Sequence, residues 1–201
     1  GIFGNYTDWV SGTGIQRWAE DRNLAVVMPS GDNSFYVDHA SGADNYGAFV
    51  GEELLDVTRR MFRLSDRRED TFIGGLSMGG YGAIRNGLKY WRNFSRVVAF
   101  SSALAFWDMV LEGEADGFIL TNRYYAKSRF GDLARVRGSD MDPYALVETL
   151  RKENADIPKF YLGCGTEDDL LAANEQFAGY LRGRGVDVTF ETARGAHEWP
   201  Y

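Results

Sequence analysis

The sequence predicts an α/β fold, in which a mostly parallel sheet is covered by helices on both faces. Short apolar runs alternate along the chain with segments of helical periodicity, which is typical of βαβ crossovers. A glycine-rich turn, GGLSMGGYGA, joins one of these runs to one of these helices. The length of 201 residues fits a single domain with a sizeable core.

The predicted elements follow one another regularly in chain order. Strands are predicted at 24–29, 71–75, 96–102, 159–165 and 187–192, and helices at 46–62, 78–90, 143–153 and 172–182. The first of these helices has an apolar face at helical spacing, formed by Val50, Leu54, Val57 and Met61. Asp142 and Pro143 are typical of the N-cap and the first position of the third helix.

One segment, 103–142, interrupts this alternation. It is rich in aromatic and charged residues and has no clear strand, so we interpret it as a lid-like insertion over the carboxyl edge of the sheet. Open α/β sheets bind their ligands at that edge. The aromatic residues of the segment could line an acyl or alcohol pocket, or simply pack the insertion onto the sheet: Phe106, Trp107, Phe118, Tyr124 and Tyr125.

The composition excludes several classes of function. A net charge of −7 argues against a protein that binds the phosphate backbone of nucleic acids. The single cysteine, Cys164, rules out an internal disulfide and a cysteine-cage metal site, and we expect it to be buried and inert. No apolar run approaches the roughly 20 residues that span a bilayer. The acidic residues lack the spacing of metal ligands, so we expect neither a metal nor a cofactor.

The motif with the clearest chemistry is Gly75-Leu76-Ser77-Met78-Gly79, which matches G-x-S-x-G. In this motif a serine lies on a sharp strand-to-helix turn, and the small flanking residues let strand and helix pass closely. We predict that Ser77 is a nucleophile and that the backbone N–H of Met78 donates to a developing oxyanion. The alternative is a tight glycine turn without chemistry.

A serine nucleophile needs a base, and the chain has two histidines, His39 and His197. His197 is favoured because it follows the last predicted strand and comes after the nucleophile in the chain. His39 would then be an ordinary polar loop residue. A carboxylate must orient the imidazole. Three acidic residues follow the strand at 159–165, and spacing alone does not choose among Glu167, Asp168 and Asp169.

Six separated motifs extend this pattern over nearly the whole chain, in the order MPSGDNSFYVD, EELLDVTRRMF, GGLSMGGYGA, AFSSAL, GCGTEDDLLAANEQFAGYLRGRG and ETARGAHEWPY. Together they resemble the esterase D family of α/β-hydrolases, and within it the small tributyrin or acetyl esterases and the feruloyl (cinnamoyl) esterases. The related formylglutathione hydrolases carry a cysteine near the oxyanion loop. Here that loop is Gly4-Asn5-Tyr6-Thr7, which disfavours that branch.

The resemblance implies an α/β-hydrolase fold and a serine carboxylesterase that acts on short-chain or carbohydrate-linked esters through an acyl-enzyme. It selects Asp168 as the acid of the triad. It also implies that Ile2 supplies the second oxyanion N–H, although Ile2 could be just an apolar loop residue. Trp199, two residues after His197, would wall the site. The alternatives are an acyltransferase similar to the mycolyltransferases and a non-catalytic binding protein that keeps the fold.

The chain departs from the family at both ends, since two or three strands expected before Gly1 and a helix expected after Tyr201 are absent. We therefore expect residues 1–201 to form a partial domain that is poorly stable alone, because unpaired strand edges and apolar faces would be exposed. We expect a small-molecule or carbohydrate ester as the partner, no nucleic acid and no membrane span. The sequence leaves the oligomeric state open, a homo-oligomer included, and favours the cytoplasm over secretion.

Overall fold

The computed structural model describes residues 1–39, 42, 44–104 and 122–199. Its sheet is parallel throughout, and its strands lie side by side in chain order. The strands are β1 (Phe72–Leu76), β2 (Arg96–Phe100), β3 (Lys159–Gly165) and β4 (Val188–Ala193). Because the strands are parallel, all four carboxyl ends lie at one edge of the sheet. The predicted α/β class and these four strands are confirmed.

Among the described residues, four helices precede β1 and the others lie between successive strands. The helices are α1 (Asp8–Gly12), α2 (Ile15–Asp21), α3 (Tyr46–Ala48), α4 (Leu54–Met61), α5 (Met78–Lys89), α6 (Arg123–Phe130), α7 (Pro143–Lys152) and α8 (Leu171–Gly183). A π-helical segment, Phe49–Glu53, joins α3 to α4, and short 3₁₀ turns lie at Arg68–Asp70 and Leu133–Arg135. The predicted start of α7 is confirmed, because the Asp142 side chain accepts a hydrogen bond from the Tyr144 N–H at 2.9 Å.

The core lies on the face of the sheet that carries Ile73, Val97 and Phe160, whereas Phe72 and Tyr161 on the opposite face are exposed. Its centre is formed by fully buried apolar side chains from β2, β3, α5 and α8, namely Val97, Ala99, Leu162, Ile84, Leu88, Phe177 and Leu181. Helix α6 is anchored to the same core by Ala126 and Phe130, and Leu104 at the end of the β2 connection is also buried. Within the described ranges, no helix combines the length and apolarity needed to cross a bilayer.

The prediction of a buried strand at 24–29 is wrong. This segment is not part of the four-stranded sheet, and the side chains of Leu24, Val26 and Val27 are exposed. A strand requires a neighbour for its backbone N–H and C=O groups. Among the described residues, none forms a ladder with this segment.

The apolar face predicted for 46–62 is also wrong at its second half. Val57 and Met61 are 51% and 68% exposed, whereas Thr58 is buried and Leu55 packs against the core. The cause is the π-helical segment Phe49–Glu53. A π turn contains one more residue than an α turn, so every later side chain is rotated relative to the α-helical expectation.

An ion-pair network around the buried Arg85 fixes α5 against the loop that precedes α7. The side chain of Arg85 is 1% exposed, and its Nη2 lies 2.8 Å from Oδ2 of Asp140. Lys89 Nζ lies 2.6 Å from the same oxygen of Asp140 and 3.2 Å from Oδ2 of Asp38. Two cations thus face two carboxylates, which keeps the buried guanidinium compensated.

Candidate active site

Ser77 lies at the junction of β1 and α5, at the carboxyl edge of the sheet. Its φ of 60° and ψ of −117° place it in a region that non-glycine residues rarely adopt. The surrounding backbone holds it there. The N–H of Ser77 donates to the carbonyl of Phe100 at 2.9 Å, and the carbonyl of Ser77 accepts from Tyr81 and Ala103, both at 3.1 Å. A strained residue held by its neighbours is typical of functional sites.

Two glycines make this junction possible. A Cβ at Gly75 would lie 2.1 Å from the carbonyl oxygen of Gly79, so strand and helix could not approach as closely with any other residue. A Cβ at Gly82 would lie 2.6 Å from the ring of Tyr36, which packs against α5. The glycine-rich character of this stretch therefore reflects close packing on both sides of Ser77.

The structure brings Asp168 and His197 together. Nδ1 of His197 lies 2.9 Å from Oδ2 of Asp168. The turn after β3 and the loop after β4 run side by side, since the N–H of Thr166 donates to Ala193 and the N–H of Glu167 donates to Gly195, both at 2.9 Å. This pairing of loops explains why residues 29 positions apart meet.

The geometry also distinguishes among the three acidic candidates. Asp168 has a side chain that is 1% exposed, while the His197 side chain is 42% exposed. Glu167 points instead to the surface, where Arg194 Nε donates to its Oε1 at 3.0 Å, and Asp169 is exposed. His39 lies in the loop before α3, where its backbone N–H donates to the carbonyl of Asp44 at 2.8 Å.

The carboxylate of Asp168 is held in its ionised form. Burial alone would raise the pKa of Asp168, but hydrogen bonds from the Ser101 hydroxyl, the Leu170 N–H and the His197 imidazole outweigh burial, and the pKa is lowered. The N–H of Leu170 lies 2.8 Å from Oδ1. An ionised carboxylate at Nδ1 fixes the imidazole in the tautomer that leaves Nε2 free to accept a proton.

Sequence reasoning missed Ser101. This residue follows β2, is 1% exposed and has a φ of 42°. Its Oγ lies 3.8 Å from Sγ of Cys164, which is buried as expected, and burial raises the pKa of the Cys164 thiol to about 11. A polar residue directly after a strand, at the edge where Ser77 lies, was the available signal.

The amino-terminal loop lies beside Ser77. A Cβ at Gly1 would be 3.8 Å from Cβ of Ser77, and the half-buried Ile2 packs against the core. Met78, the first residue of α5, is buried. The N–H of Phe3 donates to Oδ1 of Asn33 at 2.6 Å, a contact that sequence reasoning did not foresee.

The structure describes only some of the residues that were predicted to line a substrate pocket. Phe106, Trp107 and Phe118 lie outside the described residues. Trp199 is half-buried, and its ring packs edge to face against Trp9 of α1, with ring centroids 5.3 Å apart. The hydroxyl of Tyr125 donates to the backbone carbonyl of Asn33, whereas Tyr124 is exposed.

The described residues contain no group of His, Cys, Asp and Glu side chains that could hold a metal ion.

The model of the Esterase family matches residues 1–201. The chain belongs to the Esterase family. It is a carboxylic ester hydrolase, and the family resemblance inferred from its motifs is confirmed.

Relatives of this esterase include a curated acetyl esterase of Caldicellulosiruptor saccharolyticus. The two are 43% identical over 202 residues, which cover 100% of this chain and 76% of the relative. Among solved structures, the Staphylococcus aureus fluorophosphonate-binding serine hydrolase F superposes with a TM-score of 0.87 at 34% identity, covering 100% of this esterase and 75% of that chain. An S-formylglutathione hydrolase from Staphylococcus aureus superposes with a TM-score of 0.85 at 32% identity, covering 100% and 76%.

Proposed function

We propose that this esterase hydrolyses short-chain or carbohydrate-linked carboxylic esters, with Ser77 as nucleophile, His197 as general base and Asp168 as the residue that orients the imidazole. The observation that carries the proposal is the 2.9 Å contact between Nδ1 of His197 and the buried Asp168 carboxylate. This pair lies at the same sheet edge as the strained Ser77. The strain presents the hydroxyl above that edge.

The first half of the reaction acylates the enzyme. Nε2 of His197 takes the hydroxyl proton of Ser77 while Oγ bonds to the ester carbonyl carbon, and the carbonyl electron pair moves onto its oxygen. The backbone N–H groups of Met78 and Ile2 stabilise that oxyanion, aided by the amino-terminal dipole of α5. The carbon–oxygen bond to the alcohol then breaks, and the leaving alcohol takes the proton from His197.

The second half repeats these steps with water. His197 removes a proton from water as the water oxygen bonds to the acyl carbon, and the collapsing intermediate returns Oγ of Ser77 to its hydroxyl form with the proton from His197. The products are the carboxylic acid and the free enzyme. Asp168 stabilises the imidazolium in both halves without itself becoming protonated.

A short acyl group is the favoured substrate, because the curated relative at 43% identity is an acetyl esterase. A thioester substrate is the second candidate, since a relative of known structure at 32% identity is an S-formylglutathione hydrolase. The loop at 4–7 has no cysteine, which argues against the thioester. Acyl transfer to a carbohydrate or lipid alcohol remains the alternative reaction.

Covalent labelling tests the chemistry. A fluorophosphonate probe should label the wild-type protein at Ser77, and Ser77→Ala should lose both labelling and hydrolysis of p-nitrophenyl acetate. Ser102→Ala is the matched control, because Ser102 is a buried serine at the same edge that has no role in the proposed reaction. Retained hydrolysis by Ser77→Ala, or labelling at another residue, would refute the assignment.

A substrate panel tests the specificity. We expect kcat/KM to be highest for acetyl esters, lower for butyryl and feruloyl esters, and lowest for S-formylglutathione. Product analysis with a sugar or glycerol acceptor present separates hydrolysis from transfer. A preference for the thioester, or an acylated acceptor as the main product, would contradict the proposed substrate or reaction while leaving the role of Ser77 intact.

A further inference from the structure

The segment 30–37 has an unusual backbone. Four of its non-glycine residues have positive φ values, namely Asp32 at 42°, Asn33 at 53°, Phe35 at 55° and Tyr36 at 55°. Such conformations persist only where surrounding contacts hold them, and they concentrate at functional sites. Neither G-x-S-x-G nor the Asp168–His197 pair accounts for this segment.

The segment is fixed firmly to the rest of the fold. Phe35 is fully buried and packs edge to face on Tyr81 and Phe130, with centroid distances of 5.7 and 5.3 Å. Nδ2 of Asn86, on the helix that begins after Ser77, donates to the carbonyl of Tyr36 at 3.0 Å. The segment is therefore a rigid support rather than a free loop.

Asn33 connects this support to the amino-terminal loop. Its Oδ1 accepts a hydrogen bond from the N–H of Phe3 at 2.6 Å, and Phe3 itself has a φ of 60°. Its backbone carbonyl accepts from the hydroxyl of Tyr125 at 2.5 Å. A residue with left-handed backbone and a short acceptor side chain suits this position, because asparagine tolerates that conformation better than most residues.

We propose that Asn33 is a positioning residue for the oxyanion site. By holding the N–H of Phe3, its amide oxygen fixes the peptide unit that links Ile2 to Phe3, and thereby the direction of the neighbouring N–H of Ile2. This inference rests on the proposed function, in which Ile2 donates to the oxyanion. A donor that is turned away stabilises the transition state less and leaves ground-state binding of the ester nearly unchanged.

Two substitutions test the effect of the Asn33 amide oxygen separately from the effect of its backbone conformation. Asn33→Gly keeps the left-handed conformation but removes the acceptor, and Asn33→Asp keeps both. The activity of Asn33→Asp is measured in about 0.5 M salt, which screens the added charge. Ser30→Ala is the matched control, because it removes a different anchor of the same loop, the 3.3 Å bond from the Tyr6 N–H to Ser30 Oγ.

For p-nitrophenyl acetate, we expect Asn33→Gly to lower kcat by about tenfold with KM within about twofold, a smaller loss than complete removal of an oxyanion donor causes. Asn33→Asp and Ser30→Ala should stay near wild type. The inhibition constant of a trifluoromethyl ketone, whose adduct with a serine carries the oxyanion, should rise in Asn33→Gly by a similar factor. Thermal unfolding of each variant shows whether the fold is intact.

An unchanged kcat and inhibition constant in folded Asn33→Gly would overturn the inference. So would an equal loss in Asn33→Asp, or a loss in Asn33→Gly that follows only its unfolded fraction. These outcomes are independent of the nucleophile. If Ser77→Ala is inactive while Asn33→Gly is unaffected, the proposed function stands and the positioning role of Asn33 fails.

Discussion

Nδ1 of His197 lies 2.9 Å from Oδ2 of Asp168, whose side chain is 1% exposed. A carboxylate in this position can only accept, so it requires a proton on Nδ1 and leaves the lone pair on Nε2. An amide could present its NH₂ group to the ring instead and favour the opposite tautomer.

We therefore expect Asp168→Asn to lower kcat for acetyl esters on the order of 10⁴-fold, as expected for loss of the correct tautomer in a triad. Steady-state kinetics on folded variant protein measure this effect. Glu167→Gln is the control, because Glu167 pairs with Arg194 at the surface, and it should remain close to wild type. A loss of less than tenfold in Asp168→Asn would exclude the triad role of Asp168.

The lowered pKa of Asp168 also predicts how stability depends on pH. Because the folded-state pKa lies below the unfolded value of about 3.9, the unfolded state binds the proton first as pH falls. The stabilising contribution of Asp168 is thus present above the unfolded pKa and disappears as pH falls through the folded pKa. Urea unfolding between pH 6 and pH 3 should give a smaller decline for Asp168→Asn than for wild type. Parallel curves would contradict the depressed pKa.

Two adjacent buried serines should respond oppositely to loss of their hydroxyls. The Ser101 hydroxyl helps to lower the pKa of Asp168, so Ser101→Ala should raise that pKa and destabilise the fold at neutral pH. The Oγ of Ser102 is buried with no hydrogen-bond partner among the described residues, so Ser102→Ala should be neutral or stabilising. Urea midpoints of both variants test this contrast, and equal losses would argue against it.

Cys164 should be unreactive in the folded protein. It is fully buried, and burial raises the pKa of its thiol to about 11, so little thiolate exists at neutral pH. Ellman's reagent at pH 8 should detect no thiol in native protein and the single thiol of the chain after unfolding in guanidinium. Rapid reaction of the native protein would mean that the strand end opens to solvent.

Two helical glycines provide a packing test. A Cβ at Gly82 in α5 would lie 2.6 Å from the Tyr36 ring, so Gly82→Ala should destabilise the protein. A Cβ at Gly179 in α8 would meet no described atom within 4 Å apart from its chain neighbours and its own helix backbone, so Gly179→Ala should stabilise by about 0.5–1 kcal/mol through helix propensity. Chemical unfolding measures both. A stabilising Gly82→Ala would contradict the close approach of Tyr36 to α5.

The sequence predicted those elements whose signals are local. The runs at 159–165 and 96–102 became strands, and the Asp142 cap was found, because buried runs and capping residues depend on few neighbours. The strand predicted at 24–29 is absent from the structure because a strand requires a pairing partner, which local pattern does not reveal. The predicted burial of Val57 is wrong because the π-helical segment rotates the later side chains of the helix.

The residues of the candidate site likewise include some that the sequence alone indicates and some that it does not. Ser77 and His197 stand out by motif and by scarcity, whereas spacing left Asp168 equal to its two acidic neighbours until the family resemblance selected it. The contact with His197 then distinguished Asp168 by geometry. Ser101 and Asn33 contact residues distant in the chain, with 67 positions between Ser101 and Asp168 and 30 between Asn33 and Phe3, so local pattern does not reveal these partners.

The residues that flank the segment 105–121 on both sides are anchored in the core. Leu104 is buried on one side, and on the other Ala126 and Phe130 hold α6 in the core while Tyr125 bonds to Asn33. A segment with fixed ends can change in length or composition while the elements that flank it keep their positions. The elements that flank 105–121 therefore hold their positions through core contacts of their own.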